Sequence, residues 1–588
     1  MSAMAPLLVL LLSLVIASAQ EDGDDLNLDI VMLIHPYNKV NFLPFSLGGI
    51  EHQQDFPKDR INLIFRVGVY GSQFAASTMG YSLNQETLRI LYKWIDSNEK
   101  YYHKITVQED IEEVDHGTDP EYWTANRFAK VMQIKERSLQ YSIEDKADFI
   151  LIMDADVILT NQQFLRKMLI EQRNESISVF APMLDSLGTY SNFWAGISDK
   201  GYYVRTPEYM EMIERQKAGV FSVPMIHSCL LIDLRDERTH SLKFSPDAAT
   251  IGTPFDDIIS FAFSARRKSI QLFVNNEHVW GYIPPAVDGI PNQFQAQELV
   301  DLELESLLEG PQFPVGNSLR SFIKRPQKEA LGFDKIFIIN LKRRVQRRLR
   351  MEKVLEVIGL QAEFWEATDG KNLSAKELRD MGISVMPNYT DPYHKRPMTM
   401  GEIGCFLSHY FIWENVVANN YSQVLVLEDD VRFERNMKHR MQDELRQLEL
   451  KSQDFVYLGR KRQKGSPSDE LRLFPNFVRP KYSYWTIGYI ITRSGAEKLI
   501  AAEPLASLIP VDEFLPVMYD QHPVKEWNQH FPIRNLKALS IDPLILSPTH
   551  YVGDQEYISD TEESEKISLS ADHPKLKSPQ HGHRHSEL

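Results

Sequence analysis

Two runs of consecutive apolar residues in this chain each end in carboxylates, and no other feature narrows its fold as far. Phe149-Ile150-Leu151-Ile152-Met153 leads into Asp154-Ala155-Asp156, and Val424-Leu425-Val426-Leu427 leads into Glu428-Asp429-Asp430. An unbroken aliphatic run bounded by polar residues reads as a strand buried on both faces, the kind found in sheets covered by helices. Ligands of such sheets bind beyond the carboxyl ends of the strands. There, neighbouring carboxylates can share a hard divalent cation that neutralises a diphosphate. The plainer reading of either motif alone is a strand-end turn with solvated acids.

The flanking sequence repeats this grammar. In the first half Asp29 to Ile34, Ile61 to Val69 and Phe149 to Leu159 read as strands, and Gln85 to Trp94 reads as a helix. In the second half Lys335 to Leu341 and Gln423 to Val431 read as strands, and Arg344 to Val357 and Gly401 to Asn419 as helices. Alternation of this kind predicts α/β domains built on largely parallel sheets. A chain of 588 residues also exceeds the roughly 250 that one core organises, so two domains are expected. The boundaries are read as 28–285 for the first domain, 286–330 for a proline-containing linker with one short helix, and 331–556 for the second. Residues 557–588, acidic and then rich in Pro, Ser, Lys and His, carry too little apolar surface to offset ordering entropy and are expected to be disordered.

Each acidic strand end has a later acidic partner. Asp256 and Asp257 follow the first motif and Asp512 and Glu513 the second, and each pair opens an expected helix. Inverting sugar transfer needs a carboxylate that takes the acceptor hydroxyl's proton as the sugar carbon is attacked, and these four residues are the candidates. Acids at a helix start also serve simply as caps. His550 stands as a further metal ligand beside Asp429 and Asp430, with Asp154 and Asp156 filling that role in the first half. Arg343, Arg344 and Arg347 can donate to a diphosphate beside Glu428, or form an exposed basic helix start. Glu402, Cys405 and His409 share one helical face.

A net charge of −16 and the absence of a basic stripe argue against nucleic acid as a partner. Leu7 to Ala17 is an apolar run closed by Ala17-Ser18-Ala19, read as a signal peptide over residues 1–19 and too short to span a bilayer. No membrane span is expected in the mature chain. The final His585-Ser586-Glu587-Leu588 resembles a luminal retention signal recognised by a retrieval receptor. Asn174, Asn372, Asn388 and Asn420 lie in glycosylation sequons, which fits the endoplasmic reticulum lumen. Two cysteines, Cys229 and Cys405, make no disulfide framework, and both are expected to be free and buried. A homodimer is compatible with the sequence.

Four stretches together carry a specific resemblance: Ile338 to Arg344 with Arg347, Gly401-Glu402-Ile403-Gly404-Cys405, Leu407-Ser408-His409, and Leu427-Glu428-Asp429-Asp430. In this order they resemble glycosyltransferase family 25. Ala181 to Ser186, Tyr190 to Trp194, and Val223-Pro224-Met225 with His227-Ser228 are similar to the animal procollagen galactosyltransferases of that family. The resemblance implies two tandem GT-A-like (Rossmann-like) domains and transfer of galactose from UDP-galactose to hydroxylysine of a collagen acceptor. It further implies Mn²⁺ and a β linkage. The chain departs from the family pattern at Ser452-Gln453-Asp454, where the first acid of an expected Asp-X-Asp is replaced, and at Arg66 to Tyr70. The first departure is shared with a related adhesion-type animal protein that lacks the activity, so a catalytically inactive, collagen-binding luminal protein is the alternative reading.

Overall fold

The computed structural model describes residues 26–35, 40–70, 78–112, 124–198, 202–246, 256–285, 292–392, 394–447, 452–463, 469–550 and 560–561. The signal-peptide reading over 1–19 and the His585 to Leu588 motif lie outside the described residues. The chain divides into two compact units, Met1–Pro326 and Gln327–Leu588.

In the first unit the strands are β1 Leu28–Ile34, β2 Ile61–Tyr70, β3 Lys104–Glu112, β4 Phe149–Asp154, β5 Val179–Pro182, β6 Val220–Val223, β7 Cys229–Asp233 and β8 Leu272–Asn275. They form one eight-stranded sheet in the order β6-β8-β5-β7-β4-β1-β2-β3. Alternation along β4 explains the unbroken apolar run. Phe149, Leu151 and Met153 pack into one cluster and Ile150 and Ile152 into another, so both faces are covered. The run expected as one strand to Leu159 stops at Asp154, where Val157 N–H turns back to the Asp154 carbonyl at 3.1 Å. It resumes as Ile158–Leu159 against Gly281–Tyr282. Helices α1 Ala125–Glu144 and α2 Asp257–Arg267 flank the sheet, and within the stretch read as a linker α3 Asn292–Glu309 buries Leu299 and Leu302 against Phe42 and Phe45 of this unit.

The second unit repeats the plan. Its strands are β9 Lys335–Asn340, β10 Glu363–Glu366, β11 Gln423–Glu428, β12 Phe455–Arg462, β13 Arg472–Phe474, β14 Phe477–Val478, β15 Ser483–Thr492 and β16 Ala538–Ile541, in the order β10-β9-β11-β15-β12-β16-β14-β13. Helix α4 Val345–Ile358 ends where Gly359 turns left-handed at φ 68°, a conformation glycine adopts without steric cost. Helix α5 Met400–Ala418 opens with a capping box between Thr399 and Glu402. A Cβ on Gly404 would stand 2.5 Å from the Thr368 carbonyl oxygen, so this glycine lets α5 lie directly on the 368–370 segment. Helix α6 Val511–Met518 completes the unit.

Both units are α/β, and their sheets are largely parallel as expected, with β6 and β7 reversed in the first and β14 and β15 in the second. β4 and β11 each run parallel to the strand on one side and antiparallel to β7 and β15 on the other. A buried antiparallel strand reads as the same apolar run as a parallel one, so periodicity does not mark these exceptions.

Candidate active site

In the second unit the end of β11 faces a cavity lined by Arg343, Arg347, Cys405, His409, Glu428, Asp429, Asp430, Asp560 and others. Glu428 is held by its neighbours. Thr486 donates to Oε1 at 2.5 Å and His409 Nε2 stands 3.5 Å from the same oxygen. Trp413 donates to the Tyr489 hydroxyl at 3.1 Å, and that hydroxyl lies 2.9 Å from His409 Nδ1. A phenol that gives its proton to Nδ1 leaves Nε2–H directed at Glu428. Burial works to raise the Glu428 carboxyl, but the His409 and Thr486 bonds hold it below the ordinary range.

The next two acids differ from each other. Asp429 is consumed by structure: Asn340 donates to Oδ2 at 2.6 Å, Arg347 to Oδ1 at 3.1 Å, and Arg350 to its carbonyl at 2.8 Å. Asp430 receives only Arg347, at 3.3 Å on Oδ2, and its buried Oδ1 has no partner among the described residues. Burial and the Glu428 charge push Asp430 up to about 7. His550 is brought alongside, because the strand Leu546–Pro548 pairs with Val431–Phe433 and Thr549 N–H bonds the Asp430 carbonyl at 2.8 Å. Its ring lies 3.1 Å from the Thr549 hydroxyl.

Asp512 and Glu513, adjacent in sequence, are separated by their surroundings. Glu513 accepts hydrogen bonds from Tyr484 at 2.5 Å, Tyr482 at 2.8 Å and His522 at 2.7 Å, which ties its carboxylate to neighbouring side chains. Asp512 keeps a buried Oδ1 with no partner, and burial together with Glu428 pushes it up to about 8. It lies outside the cavity lining but is electrostatically tied to Glu428.

The arginines are less free than the sequence suggests. Arg343 bonds Asp369 and Asp560, each at 2.8 Å, and Arg344 grips Asp560 through two bonds of 2.8 Å. Asp560 belongs to the tail expected to be disordered. Within that stretch Asp560 and Thr561 are described, and the Thr399 hydroxyl also donates to the Thr561 carbonyl at 2.7 Å. Sequence reading missed Arg350, although its i,i+3 spacing from Arg347 on α4 places both on one face. It also missed Asn340, a polar residue closing an apolar strand. Thr486, Asp369 and Asp560 reach the site from elsewhere in the fold and leave no local signal.

Glu402 turns instead to structure, pairing with Arg396 at 2.9 Å, while Cys405 and His409 on its face reach the cavity. Both cysteines are free, Cys229 buried and Cys405 half-buried. All four sequon asparagines are exposed.

In the first unit Asp154 closes β4, and its amide bonds the Ser228 carbonyl at 2.9 Å. Asp256 caps α2, accepting from Ile258 and Ile259 amides at 2.8 and 2.9 Å and from the Tyr203 hydroxyl at 2.7 Å. Asp257 pairs with Lys135 at 2.6 Å. Asp156, half-buried, sits in the turn after Asp154. The divergent Arg66 is engaged in a buried pair with Asp110 at 2.7 and 2.9 Å.

Among the described residues no group of three or more His, Cys, Asp or Glu is arranged to hold a metal ion. The chemistry at Asp430 still fits a divalent cation that arrives with a diphosphate, since such ions are commonly held by one or two carboxylates plus the phosphates themselves. The unpartnered Asp430 Oδ1, beside Glu428, is the observation behind that fit.

Two family models match this chain: "Glycosyltransferase family 25, N-terminal domain" over residues 28–309, and "Glycosyltransferase family 25 (LPS biosynthesis protein)" over residues 333–515. The chain is 40% identical to procollagen galactosyltransferase 1 of Danio rerio over 90% of its own length and 85% of the relative's. It is 40% identical to procollagen galactosyltransferase 2 of Homo sapiens, over 90% and 82%. It is also 40% identical to a glycosyltransferase 25 family member of Drosophila melanogaster, over 96% and 92%.

Proposed function

The chain belongs to glycosyltransferase family 25, and from that premise we propose that it transfers galactose from UDP-galactose to hydroxylysine of collagen-type sequences, with the chemistry in the second unit. The observation that carries this reading is its 40% identity, over nine-tenths of its length, to relatives named procollagen galactosyltransferase. As a member of the family it is a glycosyltransferase with a nucleotide-sugar donor; Mn²⁺ is the proposed divalent cation.

Asp512 is the proposed base. Its unpartnered carboxylate oxygen takes the acceptor hydroxyl's proton as that oxygen attacks the anomeric carbon, the bond from that carbon to the diphosphate breaks, and UDP leaves. A carboxyl pushed up to about 8 is basic enough to hold that proton, and the ionised form that accepts it grows as pH rises through that value. Asp430 would hold the cation, which when bound supplies positive charge to the departing diphosphate. Arg347 and Arg350 add fixed cationic charge on the same side, and His409 with Thr486 keeps Glu428 ionised and oriented.

Ser452, the feature behind the inactive alternative, lies at the other end of the sheet. β12 runs in the same direction as β11, both antiparallel to β15, so residues 452–454 stand by Gln423 and not by Glu428. The remaining acid, Asp454, is saturated by Ser494, Lys498 and the Lys537 amide, which is a structural role. The altered position therefore takes nothing from the acidic cavity.

The endoplasmic reticulum lumen is the proposed location, supported by the Leu7 to Ala19 pattern, the His585 to Leu588 motif and the nature of a collagen acceptor. Among the described residues no helix is long and apolar enough to cross a membrane. The test of function is transfer of labelled galactose from UDP-galactose to a hydroxylysine-containing collagen peptide, with Mn²⁺ or with chelator. Chelator-sensitive product is expected. No product, with UDP still bound, would mean a silent binding protein.

A further inference from the structure

In the second unit β15 meets three acids with three successive residues. The Tyr484 hydroxyl donates to Glu513, the Trp485 amide to Asp512 and the Thr486 hydroxyl to Glu428. A regular strand spends its amides on the neighbouring strand, but here the ladder is broken. Between the pairs Gly459–Gly488 and Lys461–Tyr484, β15 advances four positions while β12 advances two. The surplus makes a bulge in which Trp485 turns left-handed at φ 75°, a conformation that bulky side chains rarely adopt. Backbone held in so unfavourable a region is set by its surroundings and concentrates at working sites. This bulge delivers an amide to Asp512 and an indole carried on the same residue.

That indole already bears a cation. The Lys461 ammonium stands over its ring, 5.6 Å from the centre. Tyr482, Tyr484, Trp485 and Asp512 are each half-buried, so the patch reaches solvent, and Tyr482 and Tyr484 meet edge to face at 5.4 Å. An electron-rich ring face beside a carboxylate is a site for an ammonium. Lys461 is exposed, so its hold on the ring competes with water and yields to a cation brought in by a ligand.

We propose that Trp485 is the residue that reads the ε-ammonium of the acceptor hydroxylysine, with Lys461 as the resident cation that the acceptor displaces. This rests on the reading of Asp512 as the base that meets the acceptor hydroxyl. In hydroxylysine the amine sits on the carbon next to the one that bears the hydroxyl. A hydroxyl placed at Asp512 therefore brings its ammonium to the residue whose amide bonds Asp512. The bulge keeps the two contacts in register, and a side chain with a hydroxyl and no amine gains nothing from the indole.

The test is binding of a fluorescent collagen peptide to the purified full chain with UDP present, followed by anisotropy. Two peptides are compared, one with hydroxylysine and one with a methyl group in place of its ammonium. The wild type should bind the ammonium peptide about tenfold more tightly, and Trp485→Leu should lose that preference while binding the methyl peptide unchanged. Lys461→Met should bind the ammonium peptide severalfold more tightly than the wild type. Equal affinities in the wild type would overturn the proposal, as would a folded Trp485→Leu that keeps the preference or weakens both peptides alike. Should Trp485→Leu fail to fold, Trp485→Phe decides: a reduced preference upholds the proposal and an unchanged one overturns it. Galactose transfer is measured alongside. A wild type that prefers the ammonium peptide and transfers nothing would end the proposed function and leave the cation subsite standing, whereas transfer with equal affinities would end the subsite alone.

Discussion

Arg344 holds the carboxylate of Asp560 in a two-bond grip, Nε to Oδ2 and a terminal nitrogen to Oδ1, both at 2.8 Å. Asp560 lies more than two hundred residues further along the chain and lines the same cavity as Arg343 and the acidic turn. A tail carboxylate thus occupies guanidiniums suited to a diphosphate, and bidentate pairing of this kind is the geometry arginine uses for both anions.

Asp560→Asn should therefore release the arginine pair to the donor. The expected result is a severalfold lower KM for UDP-galactose with kcat little changed, measured by initial rates at varied donor. A raised KM would mean that Asp560 orients the guanidiniums for the donor and does not compete with it.

The unpartnered acids give a pH signature. Asp430 and Asp512 have folded-state values of about 7 and about 8, above the ~4 of an unfolded aspartate. Their contribution to stability is fully present below ~4 and is lost as pH rises through 7 to 8. Without metal, the double variant Asp430→Asn with Asp512→Asn should gain in Tm relative to the wild type on going from pH 5 to pH 8. Saturating Mn²⁺ with UDP should shrink that gap by stabilising the wild type alone. Thermal melts across pH, with and without chelator, read it directly.

Adjacent acids should fail in different ways. Glu513→Gln places an amide where three donors converge, so a loss of about 1–3 kcal/mol of stability is expected from broken buried hydrogen bonds. Asp512→Asn should leave Tm equal or higher while kcat falls by about 100-fold or more. Urea unfolding beside turnover separates the two; equal turnover by Asp512→Asn would remove it as the base.

Gly404→Ala pushes a methyl to within 2.5 Å of the Thr368 carbonyl, a backbone atom that cannot swing away. Overpacking of this kind costs about 1–3 kcal/mol. The loss should appear as an earlier urea transition, with weakened donor binding because residues 368–370 form one wall of the cavity.

Much of the fold was legible because its signals are local. β1, β2, β4, β9 and β11, and helices α4 and α5, stand within a residue or two of where apolar periodicity placed their starts. Strand direction was not legible: the pattern of Cys229–Asp233 says that it is buried and nothing about which way it runs. The acids at the strand ends were visible too, and so was the arginine run on α4.

Which of those acids remain available was decided only by the tertiary structure. Asp429 and Asp430 are neighbours, as are Asp512 and Glu513, and no spacing rule separates them. The fold does so by bringing Asn340 to one, and Tyr482, Tyr484 and His522 to another, while leaving Asp430 Oδ1 and Asp512 Oδ1 bare. The sequence by itself determined which residues carry charge and which strands end in it, because those follow from residue type and short-range order. Whether each charge is spent or available depends on partners at no fixed spacing, from 9 residues away for His522 and Glu513 to 122 for Lys135 and Asp257, and only folding brings them within hydrogen-bonding distance.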